Sequence, residues 1–437
     1  MNDALKGRRA DAGSGQRSPR PLGVFAAWRL QAYGYALAAA YAAMFFSMYK
    51  AGGWLVNSTG APRLNDFTYN WIGGAQALHG NTAVLYDPTA LVKIQVAVVG
   101  LDYPKDIFFQ NWPYPPIFFL VMAPLAVLPY ITAFLGFQAM TLLGCIAVVF
   151  LIVRRPAAIA LVLALPFNIS NVAQGQTGFL RASLLGAALL ALDRRPVLAG
   201  VFIGCLTYKP QFGILFPVAL VAARQWRALA SAAVMTAFLA GVSIAGFGTG
   251  PWEAFPRELL GHAGGVLVHL PNSGQSIWPP VQTVHGLVRA LHGSEALASL
   301  AQGCATAGVA MIVWLVWRSP VRYPLKAAIL SAATLIATPF AWAHDLTVIA
   351  IPVAFLASDQ IGRGLLRSEQ TILIALFGAT GATLLYSGTL PLGPVIVIAL
   401  VGIILRRVVR DGGEHGPAVA ASRLPEAGRG MPLRASS

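Results

Sequence analysis

Long apolar runs separated by short basic clusters are the feature of this sequence that most constrains its fold. A helix that spans a bilayer needs about 20 mostly apolar residues. Runs of this kind lie near residues 30–48, 116–129, 131–153, 156–171, 175–192, 197–223, 228–249, 297–317, 323–340, 345–358, 369–387 and 391–408. Because only 11% of the residues are charged and 57% are hydrophobic, the solvent of this chain is lipid. We therefore predict an all-α polytopic membrane protein with about 10 to 12 membrane segments.

The basic residues predict which side of the membrane each connection occupies. The net charge of +15 could indicate a nucleic-acid partner, but the Lys and Arg residues lie between apolar runs, as the positive-inside rule requires of cytoplasmic loops. These clusters are Arg154/Arg155, Arg194/Arg195, Arg224/Arg227, Arg318/Arg322/Lys326, Arg363/Arg367 and Arg406/Arg407/Arg410. We therefore expect a multi-pass protein of the bacterial inner membrane, surrounded by membrane lipids and without a nucleic-acid partner.

Placing every basic cluster in the cytoplasm requires two irregular segments. The stretch 116–153 must then cross only once, and 197–223 must enter and return, with a break at Lys209–Pro210 because proline cannot continue a helix. This threading places the loops 50–115 and 250–297 on the outer face. The alternative, two full crossings in each irregular segment, would place some basic clusters on the wrong side.

The chain ends and the cysteines indicate a single membrane domain without a redox or metal site. We expect a disordered basic cytoplasmic leader over 1–28, one membrane domain over 29–410 and a disordered cytoplasmic tail over 411–437. Each cysteine lies inside an apolar run without metal-ligand or CxxC spacing, and these cysteines are Cys145, Cys205 and Cys304. Structural roles are therefore favoured, and neither a metal nor a cofactor is expected.

Two charged residues at membrane depth are candidates for chemistry, because such residues are costly unless they have a function. Asp66 follows the first apolar run and could act as a general base, or it could cap the helix-like stretch 71–78 that follows it. Lys209 interrupts an apolar run and could neutralise a lipid phosphate, or its ammonium could simply extend to the interface. Arg181 supplies a second cation at similar depth.

Two short polar segments at the predicted outer surface are further candidates. Gln174 and Gln176, with Asn171, offer amides suited to sugar hydroxyls or phosphate, although an ordinary interfacial turn has the same composition. His344–Asp345 offers an imidazole that can move protons, or a pair that caps the start of the next apolar run. Motifs that bind a soluble nucleotide, such as GxGxxG or GxxxxGK[ST], do not occur in the sequence. A transferred group would therefore come from a lipid-borne donor.

An ordered set of segments resembles glycosyltransferase family 87, a group of membrane enzymes with a GT-C-type fold and outer-face loops. The segments, from 66–71 (DFTYNW) to the His-Asp pair at 344–345, include 75–80 (AQALHG), 85–88 (LYDP), 112–118 (WPYPPIF), 123–129 (APLAVLP), 175–178 (GQTG) and 208–210 (YKP). Thr177 departs from the family, which often has Asn there. The resemblance extends from residue 30 to about residue 360.

The resemblance implies a hexosyltransferase, similar to mannosyltransferases that use polyprenyl-phosphate-mannose, with a lipid or glycan acceptor on the outer face. It implies an inverting single displacement in which Asp66 or His344 is the base and Lys209 and Arg181 hold the donor phosphate. The residues implied to bind sugar or acceptor are Gln176, Gln174, Tyr69, Trp71, Tyr114 and Asp345. Two other functions remain open at this stage: a transporter or flippase of a lipid-linked sugar, and a non-catalytic factor for polysaccharide assembly.

Overall fold

The computed structural model describes residues 24–100, 112–257, 281–360, 378, 381 and 390–421. Most of the predicted leader and part of the predicted tail therefore lie outside the described residues, as do the basic cluster Arg363/Arg367 and most of the apolar run 369–387. Helices dominate the described residues, where the β-pairing consists of two isolated bridges, Val56 with Pro62 and Val281 with Trp342. The prediction of an all-α polytopic membrane protein is confirmed.

The α-helices follow one another with short connections. In chain order they are α1 (Val24–Lys50), α2 (Asp66–Leu78), α3 (Pro88–Val99), α4 (Phe119–Ala126), α5 (Tyr130–Val153), α6 (Ala157–Ala164), α7 (Phe167–Gln174), α8 (Gly178–Leu192), α9 (Pro196–Cys205), α10 (Phe216–Ala222), α11 (Trp226–Phe247), α12 (Val284–Ala290), α13 (Glu295–Arg318), α14 (Tyr323–Ala337), α15 (Ala350–Gln360) and α16 (Gly393–Ala421). Short 3-10 helices occupy Thr82–Tyr86, Pro116–Phe118, Leu206–Tyr208, Pro210–Phe212 and Ala343–Ile349. Helix α16 continues to Ala421, past Asp411, where the sequence predicts the start of the disordered tail.

Three of the described helices, α5, α11 and α13, are long and apolar enough to cross a membrane alone. Helices α6 and α7 together form a fourth candidate, bent by 65° at Leu165–Pro166, where proline disfavours helical geometry in the residue before it. Shorter apolar helices such as α8 and α14 lie among them. The total of 10 to 12 segments therefore remains a prediction.

One end of the helix bundle gathers basic residues and their carboxylate partners. Arg322, just before α14, forms ion pairs with Asp359 of α15 and Asp411 of α16. The hydroxyl of Tyr323 donates to the carbonyl of Leu189 near the end of α8. We call this region the basic end. It brings together several of the clusters that the positive-inside rule assigns to one side.

The two irregular segments of the sequence are irregular in the structure. Helix α4 has eight residues, contains Pro124 and packs on α2, so the following α5, with 24 residues, makes the long run through the bundle. Helices α9 and α10 are separated by 3-10 turns on either side of Lys209. Because Ser231 at the start of α11 donates to the carbonyl of Val197 at the start of α9 (2.8 Å), the chain enters and leaves this broken pair at the same end.

Glycines allow the closest helix contacts. A Cβ at Gly200 would lie 2.5 Å from the carbonyl oxygen of Ala228, and one at Gly204 would lie 2.6 Å from Cβ of Met235. The G-xxx-G spacing in α9 therefore lets its backbone approach α11 directly, as is common between membrane helices.

Candidate active site

Seven polar side chains lie together at the end of the bundle opposite the basic end. They come from α2, the segment before α4, the α7–α8 turn, α8, the α9–α10 break and the turn after α14. The 15 residues of α14 separate the two ends by about 22 Å. We call this group the polar cluster, and its members are Asp66, Tyr114, Gln176, Arg181, Lys209, His344 and Asp345.

Asp66 is the first residue of α2 and does not cap that helix. The cap is Asn65, whose Oδ1 accepts from the backbone N–H of Thr68 (2.9 Å) and whose Nδ2 donates to the hydroxyl of Tyr130 (2.9 Å). Asn65 thus satisfies the helix start and ties it to α5. The interpretation of Asp66 as an N-cap is therefore wrong. Its half-buried carboxylate instead accepts a hydrogen bond from Nε2 of Gln176 (2.7 Å).

The turn that carries Gln176 needs glycine at two positions. Gly175 ends α7 in the left-handed region (φ 63°), and a Cβ there would lie 2.4 Å from Cε2 of Phe134. A Cβ at Gly178 would lie 2.6 Å from the carbonyl oxygen of His344. Any larger residue would force the start of α8 away from His344. The glycines therefore bring Gln176 close to the turn after α14.

Tyr114 connects Gln176 with Lys209. Its hydroxyl donates to Oε1 of Gln176 (3.3 Å), and its ring centroid lies 5.5 Å from Nζ of Lys209. The ring stacks on Phe118 at 4.2 Å, and Phe118 stacks on Tyr208 at 5.3 Å. This aromatic stack fixes the segment before α4 against the α9–α10 break.

Asp345 lies among three nitrogen groups. Its Oδ1 forms an ion pair with Nη2 of Arg181 and lies 3.5 Å from both Nζ of Lys209 and Nε2 of His344. Its Oδ2 accepts from the backbone N–H of Trp342 (2.8 Å). Asp345 therefore both closes the turn after α14, as the capping interpretation predicts, and neutralises one of two buried cations.

The charge states of the cluster follow from burial and proximity. Burial raises the pKa of Asp345, but the adjacent Arg181 and Lys209 outweigh burial and hold that pKa below its usual range. Burial lowers the pKa of His344 to about 3, so its imidazole is neutral at physiological pH. Burial and Arg181 lower the pKa of Lys209 to about 8. Lys209 lies in the break between α9 and α10, and His344 and Asp345 lie in the 3-10 helix after α14, so all three are outside the helices long enough to cross a membrane.

Arg181 has donors that the described protein does not satisfy. Its side chain is fully buried in α8, 4.8 Å from the ring of Phe212. Its Nε and Nη1 have no hydrogen-bond partner among the described residues. A buried donor without an acceptor is costly, so these atoms suit an anionic ligand that enters beside Lys209.

Of the residues implied to bind sugar or acceptor, two take other positions and a third, Tyr69, lies three residues after Asp66 in α2. Gln174 is exposed at the end of α7. Trp71 donates from Nε1 to the carbonyl of Leu128 (3.2 Å) and packs edge-on against Tyr130, on a different face of α2 from Asp66. Tyr69 is buried in α2. The structure thus joins Gln176, Tyr114 and Asp345 to the polar cluster, whereas Gln174 and Trp71 lie apart from it.

One participant that the sequence interpretation missed is Gln138 of α5. It is buried, and its amide contacts the turn that carries Gln176. A single amide inside a long apolar helix is a usable signal, because polar groups within a membrane segment need partners. In the residues described, no group of three or more His, Cys, Asp and Glu side chains could hold a metal ion. Independence from metal remains a prediction.

Fold and site together define a multi-pass membrane protein with a buried, charged site at one end of its helices. Residues 112–341 match the model of glycosyltransferase family 87. Because the match covers more than half of the 437 residues, the chain belongs to this family and is a membrane glycosyltransferase. No curated protein and no solved structure gave a match.

Proposed function

We propose that this glycosyltransferase moves a hexose, most simply mannose, from a polyprenyl-phosphate donor to a hydroxyl of a lipid or glycan acceptor. The observation that carries the proposal is the hydrogen bond from Gln176 to Asp66 (2.7 Å). This bond connects a half-buried carboxylate, through Tyr114, with the cationic pair Lys209 and Arg181. A base on one side and cations on the other are what sugar transfer from a phosphate requires.

The cations suit the phosphate of the donor. Of the two cations, Lys209 lies nearer to the protein surface, with 9% of its area exposed, and Arg181 lies behind it with no exposed area. The carboxylate of Asp345 neutralises one of the two cations, so the site has a net charge of about +1 when Lys209 is protonated. This charge complements the single negative charge of a phosphodiester. A phosphate beside Lys209 would also accept from the unsatisfied nitrogens of Arg181.

Asp66 is the better candidate for the base. It is only half-buried, so an acceptor hydroxyl can reach it, and Gln176 orients one of its oxygens. His344 is neutral and could accept a proton, but it is buried and faces Asp345. We assign His344 to shaping the cation site rather than to proton transfer.

The proposed step is a single displacement with inversion. The acceptor oxygen forms a bond to the anomeric carbon while the bond from that carbon to the phosphate oxygen breaks. The electron pair of the broken bond goes to the phosphate, whose charge Lys209 and Arg181 stabilise, and the hydroxyl proton goes to Asp66. No general acid is needed, because a phosphate is a stable leaving group.

We place the site on the periplasmic or extracellular face of the inner membrane. The support is the separation of the polar cluster from the basic end, which the positive-inside rule assigns to the cytoplasm. Tyr114 and Gln176 are then positioned to contact the sugar. Trp71 and Gln174 could contact only a larger acceptor that extends beyond the cluster, and Tyr69, three residues after Asp66 in α2, remains a candidate for contact with sugar or acceptor.

The first test compares Asp66→Asn with Asp87→Asn, a matched change in the same outer loop. The side chain of Asp87 is exposed and caps α3, and Asn caps a helix as well as Asp does, so this change should leave both stability and transfer intact. Asp66→Asn should lower kcat by roughly 10²- to 10⁴-fold. Both proteins, and His344→Ala, are purified in nanodiscs and assayed with radiolabelled polyprenyl-phosphate-mannose and an envelope-lipid extract.

The outcomes separate the possibilities. Transfer that Asp66→Asn loses and His344→Ala retains supports the assignment of the base. Transfer that survives in Asp66→Asn contradicts it. If the wild type transfers nothing from mannosyl or other hexosyl polyprenyl phosphates, the proposed donor class is wrong.

A further inference from the structure

Gln138 is an amide in the middle of an otherwise apolar helix, and its side chain makes no hydrogen bond within that helix. Its Nε2 donates to the carbonyl of Gln176 (3.0 Å), and its Oε1 accepts from Nδ2 of Asn171 (3.1 Å). Thr141, one turn later, differs because its hydroxyl donates to the carbonyl of Phe137 in the same helix (2.7 Å). The Gln138 amide is thus bonded at both ends, to the α7–α8 turn through Gln176 and to α7 through Asn171.

Asn171 completes the attachment of this turn. Its Oδ1 accepts from the backbone N–H of Gly178 (2.7 Å), and its own carbonyl accepts from the backbone N–H of Gln176 (2.9 Å). Gln138 from α5 and Asn171 from α7 therefore hold Gln176 and Gly178, the second and fourth residues of the turn 175–178. Buried polar networks of this kind fix geometry when every member is satisfied.

The carboxamide of Gln176 can present only its NH₂ group, and not its oxygen, to Asp66. Its Oε1 accepts from the hydroxyl of Tyr114 (3.3 Å) and from the backbone N–H of Thr177 (3.2 Å). The NH₂ group is therefore the one that points to Asp66. A donor at this position favours the ionised form of a carboxylate, which is the form a general base needs.

We propose that Gln138 is a positioning residue for sugar transfer: it fixes the turn that aims the amide of Gln176 at Asp66. The inference rests on the proposed function, since it assigns Asp66 as the base. Gln138 itself touches neither Asp66 nor the cations, so its effect is confined to the orientation and charge state of the base.

The test compares Gln138→Met, which keeps the volume but removes both hydrogen bonds, with the control Thr141→Val. In Gln138→Met we expect kcat to fall roughly 10- to 100-fold while the KM for the donor stays within about twofold, because the side chain of Gln138 hydrogen-bonds to Gln176 and Asn171 and to neither cation. The acid limb of the kcat/KM profile should move to higher pH, since Asp66 loses an oriented donor. Thr141→Val should change none of these quantities.

A second variant covers the case in which Gln138→Met does not fold. Protonated Glu in Gln138→Glu can donate to the Gln176 carbonyl and accept from Asn171, and burial raises the pKa of this new carboxyl. The protein should therefore fold and transfer sugar at pH values where the new carboxyl is protonated and Asp66 is ionised. Its kcat should fall as pH rises and the new carboxyl ionises, unlike that of the wild type. Unchanged kcat and pH profiles in both variants would overturn the inference alone. Absence of transfer by the wild type would overturn the proposed function and the inference with it.

Discussion

Lys209 is the residue of the polar cluster whose charge changes nearest to physiological pH. Burial and Arg181 lower its pKa to about 8, and Asp345 and Asp66 oppose this change. Below that pH the side chain is a cation that can bind phosphate, and above it the cation is lost.

We therefore expect kcat/KM for the donor to fall about tenfold per pH unit above pH 8. The corresponding fall in kcat should occur at higher pH than the fall in kcat/KM, because bound phosphate favours the protonated lysine. Lys209→Arg should remove the limb, since its charge persists. The check is a pH series of initial rates for the two proteins, and a limb that is unchanged in Lys209→Arg would assign it to another group.

The sequence identifies which polar residues are candidates for the site, but it does not show which of them contact one another. Asp66, Gln176, Lys209 and Asp345 each stand out as polar residues next to apolar runs. Their contacts depend on how helices pack: Gln176 meets Asp66 across 110 positions of the chain, and Asp345 meets Lys209 across 136. Spacing in one sequence carries no information about such distances. From the sequence, Asp345 is therefore expected to bind sugar, whereas in the structure one of its oxygens pairs with Arg181.

At the scale of elements, the α7–α8 turn is tightly constrained at two glycines. Gly175 adopts a backbone conformation that other residues rarely take, and a Cβ there would collide with Phe134 and Phe67. Gly178 lies against the carbonyl of His344. Two contacts of this kind in four residues explain why the Gly-Gln-Thr-Gly segment is a recognisable pattern.

Gly175→Ala should destabilise the protein by at least about 1–2 kcal/mol, the cost of the left-handed conformation for a residue with a Cβ. The collision with Phe134 adds to that cost and should displace Gln176, so transfer should fall as well. Gly136→Ala is the control, because no atom lies within 4 Å of its added Cβ. The thermal midpoint in detergent, followed by tryptophan fluorescence, gives the comparison. Equal midpoints for the two variants would contradict the role given to the turn.

The element boundaries show where sequence patterns succeed. The break at Lys209–Pro210 could be predicted because proline cannot donate the hydrogen bond that a continuous helix needs. The start of α2 was predicted five residues late, at Trp71, because Asp66 and Thr68 are poor helix formers. Asn65 supplies the cap that starts the helix earlier.

At the scale of the whole molecule, the basic end ties three helices together through one arginine. Arg322 pairs with the buried carboxylates of Asp359 and Asp411, and Arg407 lies 3.9 Å from Asp359. Arg322 and Arg407 are far apart in the sequence, but the positive-inside rule places both on one side of the membrane. The sequence therefore predicted which residues share this end, although not that carboxylates would pair with them.

Arg322→Met should destabilise the bundle by about 3 kcal/mol, near the lower end of the cost of breaking a buried ion pair. The lower end applies because Arg407 and the backbone N–H of residue 322 remain beside the carboxylates. Arg318→Met, an exposed arginine over the ring of Trp314, should cost less than about 1 kcal/mol. Thermal midpoints and sugar transfer are measured for both, and equal effects would contradict the role of Arg322.

The orientation of the bundle can be tested with two exposed positions, one at each end. Ser58 lies in the first loop, near the polar cluster, and Asp193 lies at the end of α8, near the basic end. In a background without the native cysteines, Ser58→Cys should react with a membrane-impermeant maleimide in intact spheroplasts. Asp193→Cys should react only after permeabilisation. The reverse pattern would place the proposed site in the cytoplasm.

The broken pair α9–α10 has a consequence for how the protein is made. Helix α9 has ten residues, about 15 Å, which is half the thickness of the hydrocarbon core. Its glycine face is covered by α11, a helix that leaves the ribosome later. A nascent chain that ends before Trp226 therefore lacks the surface that holds α9 at membrane depth. We expect insertion of this segment to be completed only when α11 arrives, so that Lys209 reaches its place late in synthesis.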